Sequence, residues 1–309
     1  MSQEQGTNTI YIGRLVGLAL LLVVLFSTFR LVNTTAGPKL AVLAVGLLAL
    51  HPQLLFIATS MSNDVASVAA SAVILWWVAR LMKIGFSLRG ALIYGVLVGL
   101  GLLCKVHVLL TAGMLPFLMW RYRALSRKQL MTNVIVFAVG MLVVSGPWML
   151  RNYRLVGDPL ALDPVLLTGT ENRSPLAYIF KPLPDFWKSF WLDFSPGLAG
   201  YAPDVVYLLI SVVMILVVIG LGIIFVTRSE LRLTIVMHLS LIVVTVGLSI
   251  WQKARMYANG SLDTSVAEGR HVFIILPSLA LLMALSVRAI APFRAKIGGV
   301  IVIVALGTG

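Results

Sequence analysis

Charge is what this sequence has least of. Only 11% of its 309 residues are charged, whereas 60% are hydrophobic and the mean hydropathy is +1.00. A soluble domain carries about 25% charged and about 45–50% apolar residues, because it must present charge to water. The deficit excludes a water-soluble surface. Cysteine is nearly missing as well: Cys104 stands alone in an apolar run. An internal disulfide is therefore excluded, and no Cys/His spacing suited to a metal occurs. A Walker loop, HExxH, G-x-S-x-G and a dinucleotide fingerprint are all absent, which leaves no basis for an ATP-driven pump within the chain. Acidic residues number 11 against 24 Lys and Arg, a net charge of +13. Those cations are scattered over the ends of apolar runs rather than gathered on one face, so no nucleic-acid partner is expected. No small-residue cleavage site follows the first apolar run, so no cleaved signal peptide is expected.

What the sequence does have is long apolar runs, at about 10–30, 40–59, 65–82, 91–104, 106–120, 132–150, 205–227, 233–251 and 272–288. A bilayer-spanning helix needs about 20 such residues, and barrel strands would alternate in polarity rather than stay apolar. The expected fold is all-α: a single polytopic transmembrane helix bundle over residues 1–309 with about nine membrane helices. A last run from 297 is too short to span, so the chain is expected to be cut off there. Placing the N-terminus outside puts Arg30, Lys39, Arg80, Lys83, Arg89, Arg121, Arg123, Arg127, Lys128, Arg228, Arg232, Arg288, Arg294 and Lys296 on one side, with Glu230 the one acid among them. Cations retained in the cytoplasm fix topology in this way, and a multi-pass membrane protein is expected.

Gly90–Trp120 is apolar with cations at both ends. One straight span would leave one of those ends outside, so a short helical hairpin with Lys105-Val106-His107 at its turn is preferred to one long tilted helix. Two outer loops are expected, at 151–204 and 252–271. Within the first, Phe180–Phe194 mixes aromatics with Lys181 and Lys188. It reads either as an amphipathic helix on the membrane surface or as an ordinary structured loop.

Ionisable groups beside hydrocarbon are costly and mark candidate sites. Asp64, in Ser62-Asn63-Asp64, starts a helix; it either caps free N–H groups or orients a divalent metal ion or a substrate hydroxyl. Lys105 and His107 lie inside an apolar run, where a lysine either snorkels or finds an anion. Arg151 and Asn152, before Gly157-Asp158-Pro159, are either an outer anchor leading into a turn or a phosphate clamp. Glu268, Arg270 and His271 stand directly before an apolar helix, as a binding cluster or as a plain helix entry. His51, with Pro52, and His238 are read as satisfied core groups. The basic clusters and the acidic tip all face one leaflet, which suits a lipid-linked phosphosugar as partner.

In this order the clusters resemble the polyprenyl-phosphate-dependent glycosyltransferases of the GT-C fold, in the bacterial dolichyl-phosphate-mannose mannosyltransferase-like group (family 39). The resemblance rests on His51-Pro52-Gln53 leading to Ser62-Asn63-Asp64, and on Gly99-Leu100-Gly101-Leu102-Leu103-Cys104-Lys105, similar to the family's GLA-x-L-T-K segment. It continues through Pro147-Trp148-Met149-Leu150-Arg151-Asn152 with Gly157-Asp158-Pro159, and ends at Glu268-Gly269-Arg270 before a helix containing Pro277. It implies inverting transfer of a sugar from a polyprenyl phosphate to an envelope glycan, lipid or protein on the outer face. Asp64 matches the second acidic site, and Lys105, Arg151 and Arg270 are the candidates to hold the phosphate, with His107, Asn152, Glu268 and His271 beside them. Some relatives use a divalent metal ion and others do not. The family begins with a helix and a long outer loop bearing the catalytic base. Here Ile10–Arg30 looks like the second helix, so the first helix and its acid are expected to be missing. Two other readings stay open: a transporter or flippase of lipid-linked intermediates, and a non-catalytic membrane subunit.

Overall fold

The computed structural model describes residues 3–60, 62–162, 174–192, 202–258 and 269–289. Among them every regular element is helical. Six helices are long and apolar enough to cross a membrane; a bent pair makes a seventh pass, and two shorter apolar pieces complete nine. The run from 297 lies outside the described residues.

The first helix, α1 (Gln3–Ala36), is longer than its apolar run and ends at Gly37, whose φ of 96° no other residue adopts easily. The run 40–59 was expected as one straight span. It is two helices, α2 (Pro38–Ala49) and α3 (Pro52–Thr59), bent by 64°. Pro52 is the cause: it has no N–H to donate and pushes His51 out of the helical region, to φ −75° and ψ 108°. The His51 ring then caps the second half, its Nδ1 accepting from the Leu54 N–H at 3.2 Å.

Next come α4 (Asp64–Ile84) and α5 (Leu88–Cys104), antiparallel, with Trp77 Nε1 donating to the Gly90 carbonyl at 3.1 Å. After Lys105 the chain folds back. Val106–Met114 is a 3₁₀ helix and α6 (Leu115–Arg121) continues it. Gly101 lies against Val108, the Tyr94 hydroxyl donates to the Thr111 carbonyl, and the Tyr122 hydroxyl donates to the Leu81 carbonyl. The hairpin expected over Gly90–Trp120 is thus present, and the single tilted helix is not. Its descending arm is short in residues but not in length. Nine residues of 3₁₀ and seven of α reach about 28 Å at about 2.0 and 1.5 Å each, near the ~30 Å hydrocarbon thickness.

Helix α7 (Arg127–Val156) opens with a capping box, Ser126 with Gln129, and runs parallel to α5. The two backbones approach so closely that a Cβ on Gly95 would stand 2.0 Å from the Phe137 carbonyl oxygen, and one on Gly140 would stand 2.8 Å from that of Leu92. Small residues at such a seam give membrane helices the close contact that apolar burial cannot, since lipid is as apolar as leucine. At one end of the seam the Asn133 amide donates to the Phe86 carbonyl at 2.6 Å. Then follow α8 (Leu183–Trp191), α9 (Asp204–Thr227), α10 (Ser229–Ala258) and, after a 3₁₀ turn at Gly269–Ile275, α11 over 276–289. The final pass and α4 are the most buried spans, while α9 and α7 carry exposed Leu, Val and Ile along their outer faces, as a lipid environment demands.

Two expected loop boundaries move. Helix α7 continues through Arg151 and Asn152 to Val156, and α10 through Gln252 to Ala258. Hydropathy ends a span where polarity begins, but a helix already held by its neighbours continues until Gly157 stops it in the first case.

Candidate functional site

All the site candidates within the described residues lie at the end of the bundle opposite Arg80, Arg121 and Arg228. The local reason begins at Lys105. Its backbone is extended, at φ −162° and ψ 135°, where the helical hydrogen-bond ladder of α5 ends. That break turns its side chain toward the first residue of α4. Lys105 Nζ donates to Asp64 Oδ1 at 2.5 Å, with side chains only 13% and 6% exposed. The turn is held from the other side by the Asn63 amide, which donates to the Cys104 carbonyl at 3.1 Å.

The two alternatives for Lys105 separate here. Lys105 does not snorkel; it has found its anion. The carboxylate of Asp64 serves the lysine rather than capping its own helix, and the Ser62 hydroxyl takes the Asp64 N–H instead, at 3.1 Å.

Two imidazoles flank the pair. His107 follows Lys105 in the 3₁₀ arm, and His271 comes from the turn before α11, their ring centroids 6.0 Å apart. Chain separation is bridged by Ser71, about two turns below Asp64, whose hydroxyl donates to the Ile274 carbonyl at 2.5 Å. In a 3₁₀ helix positions i and i+3 share a face, so fixing Ile274 against α4 also turns His271 toward Asp64. His107 Nδ1 and His271 Nε2 are buried with no hydrogen-bond partner among the described residues. A buried unpaired nitrogen costs about 1–3 kcal/mol, which a ligand oxygen would recover. Arg270, adjacent to His271, is itself engaged. Among the described residues no three His, Cys, Asp or Glu side chains converge to hold a metal ion.

Behind His107 opens an apolar cavity of about 280 Å³, walled by Leu109, Leu110, Leu160, Leu162, Leu248 and Trp251, with Gln252 and Arg255 at its polar edge. The Asn152 amide donates to the Pro159 carbonyl at 3.3 Å, and the Asp158 carboxylate accepts from the Leu160 and Leu162 N–H groups. The Gly157-Asp158-Pro159 turn is thereby folded so that Leu160 and Leu162 form the wall. Asn152 is a buried strut. Arg151, next to it, is exposed and is not joined to the Asp64 cluster. Glu268 lies outside the described residues.

Arg255 is the cation that sequence reasoning missed. Reading 252–271 as loop gave it no face; on α10 it sits one turn from Trp251 and reaches the cavity. A signal existed in Trp251–Ala258, which contains neither Gly nor Pro to end the helix.

Helix α8 packs beside the 3₁₀ turn that carries Arg270 and His271. Phe186 and Phe190 are buried, and α8 approaches the final pass where a Cβ on Gly269 would meet Phe190 at 2.3 Å. The Ser189 hydroxyl accepts from the Gly269 N–H at 2.8 Å. The glycine of Glu268-Gly269-Arg270 is therefore a contact point that seats Arg270 and His271. Lys188 donates to Asp204 at 2.9 Å, which raises its pKa above the ordinary lysine value, and Lys181 lies 4.3 Å over the Tyr257 ring.

A family model described as dolichyl-phosphate-mannose-protein mannosyltransferase matches residues 6–149. The match spans α1 to most of α7 and so includes Asp64, Lys105 and His107, but not Arg151, Asn152, Glu268, Arg270 or His271. No curated protein and no solved structure matches the chain.

Proposed function

We propose, from the premise that the chain belongs to the dolichyl-phosphate-mannose-protein mannosyltransferase family, a GT-C-type group of membrane glycosyltransferases, that it moves a sugar from a polyprenyl phosphate to an acceptor at the extracytoplasmic surface of the bacterial inner membrane. The observation that carries this reading is the buried Asp64–Lys105 pair beside two imidazoles whose nitrogens have no partner among the described residues, one of which, His107, lines an apolar cavity.

An ammonium has three N–H donors. Asp64 takes one, which fixes Nζ and leaves two for phosphate oxygens. The acceptor oxygen attacks the sugar's anomeric carbon as the bond from that carbon to the phosphate oxygen breaks. The electron pair leaves with the polyprenyl phosphate, and the acceptor's proton passes to a base. Lys105 and Arg270, with His107 and His271 as neutral partners, meet the charge that grows on the departing phosphate. The second Asp64 oxygen orients the acceptor hydroxyl. The isoprenoid chain lies along Leu109, Leu160 and Leu248, with Arg255 at its polar end. An envelope glycan, a lipid or a protein supplies the acceptor hydroxyl.

The test is transfer from radiolabelled polyprenyl-phosphate sugars by protein reconstituted in nanodiscs. Lys105→Met and Asp64→Asn should each lower the rate at least about a hundredfold, as loss of a preorganised electrostatic contact does, while Arg151→Ala changes it little. Transfer at the unaltered rate in both of the first variants would remove the site assignment.

A further inference from the structure

The 64° break between α2 and α3 opens a second cavity, walled on its other side by the final pass. It is a slot of about 220 Å³ walled by Leu47, Leu50, Leu276, Leu279, Ala280 and Met283. In the 3₁₀ turn at Gly269–Ile275, Phe273 faces this side and packs edge-on against His51, with ring centroids 5.7 Å apart. The slot opens outward, for Leu50 on its rim is 78% exposed.

Two polar atoms interrupt the apolar wall. His51 is only 6% exposed, and its ring stacks on that of Trp191 at 5.3 Å and 27°. His51 Nε2 and Trp191 Nε1 are both buried with no partner among the described residues. Their hydrogen-bonding sense follows from one contact. Because His51 Nδ1 accepts the Leu54 N–H, it carries no proton, so the neutral ring bears its hydrogen on Nε2. Indole nitrogen only donates. His51 and Trp191, which both line the slot, thus each carry an N–H donor with no acceptor among the described residues, inside a hydrocarbon-like lining.

We infer that this slot binds a membrane phospholipid: one acyl chain lies between the α2–α3 break and α11, and an ester or phosphate oxygen accepts from His51 Nε2 and Trp191 Nε1. A bare hydrocarbon would fill the space but leave both donors unsatisfied, and a water-soluble anion would gain nothing from the leucines. The binding is independent of sugar transfer.

The full chain in nanodiscs is photolabelled with a phosphatidylcholine bearing a diazirine in its acyl chain, or with a diazirine alkane, and the labelled residues are mapped by mass spectrometry. Phospholipid should label 47–50 and 276–283 in clear preference to the alkane. Trp191→Phe keeps the stacked ring but removes its donor. It should cut that preference about threefold to tenfold, the worth of one neutral hydrogen bond. Ala280→Phe fills the slot and should abolish labelling there while leaving the lipid-exposed face of α9 labelled as before. Lys105→Met should leave slot labelling unchanged, which separates this site from the proposed transfer centre. Equal labelling by alkane and phospholipid, an unchanged preference in Trp191→Phe, or persistent slot labelling in Ala280→Phe would each overturn the inference.

Discussion

Asp64 and Lys105 hold opposite charges out of water at 2.5 Å, and the energetics of such a pair are asymmetric. Removing one partner leaves the other buried and uncompensated, at a cost of about 3–5 kcal/mol, whereas replacing both is often neutral. Asp64→Asn and Lys105→Met alone should therefore lower the thermal midpoint of the detergent-solubilised protein by several degrees, and the double variant should recover most of that loss without recovering transfer. A double variant no more stable than either single one would show that the pair does not behave as a coupled unit. Much of the candidate site was visible at this scale. Asp64, Lys105, His107 and His271 announce themselves as polar residues where the surroundings are apolar. Their mutual contact was not visible, since 41 residues separate the ion pair and only the fold closes that gap. Arg151 looked like its neighbours in the sequence because an exposed cation and a site cation are the same letter; its orientation on α7 distinguishes them. Nor could composition reveal that His51 would satisfy one ring nitrogen and leave the other open, as His238 also does with Ser278 at 2.7 Å.

Among the elements, the α5–α7 seam shows how the bundle is joined without a hydrophobic drive. A methyl group at Gly95 would stand 2.0 Å from backbone oxygen, so the helices must separate to admit it, whereas a Cβ at Gly113 would meet nothing within 4 Å. Gly95→Ala should destabilise by about 1–3 kcal/mol, the usual cost of overpacking, and Gly113→Ala should be neutral within about 0.5 kcal/mol. Steric-trapping or thermal-shift measurements of the two variants check this; equal stability would mean that the seam is looser than its geometry. The existence and number of the passes follow from hydropathy alone, because a long apolar run has few alternatives in a membrane. Two features escaped that reading. One was the bend at His51-Pro52, since a proline near the middle of an apolar run can kink a helix slightly or break it, and here packing of the Phe190 and Phe273 rings against His51 accompanies the break. The other was the 3₁₀ arm. Nothing in Val106–Met114 encodes a rise of about 2.0 Å per residue; the need to span the bilayer with few residues, and the Tyr94–Thr111 hydrogen bond, hold it stretched.

For the molecule as a whole, the decisive asymmetry is electrical. The ends of α4, α6 and α9 bring Arg80, Lys83, Arg121, Arg123 and Arg228 to one side of the bundle, and Glu230 is the acid among them. The other side carries the Asp64–Lys105 cluster, the cavities lined by His107 and by His51, and α8. Cations resist translocation, each favouring the cytoplasmic side, so the site should open to the extracytoplasmic surface, where only a lipid-linked sugar, not a nucleotide sugar, is at hand. That orientation can be read directly. Cys104 is the sole cysteine, and Cys104→Ser gives a background free of thiols. Ala124→Cys on the basic side and Ser174→Cys in the segment leading to α8 are both exposed positions. A membrane-impermeant maleimide added to intact cells stripped of their outer membrane should label Ser174→Cys and spare Ala124→Cys until the membrane is permeabilised. The reverse pattern would turn the bundle over. The cluster would then face the cytoplasm, where soluble activated sugars compete as donors, and the charge argument for a lipid-phosphate substrate would lose its footing even with the Asp64–Lys105 geometry unchanged.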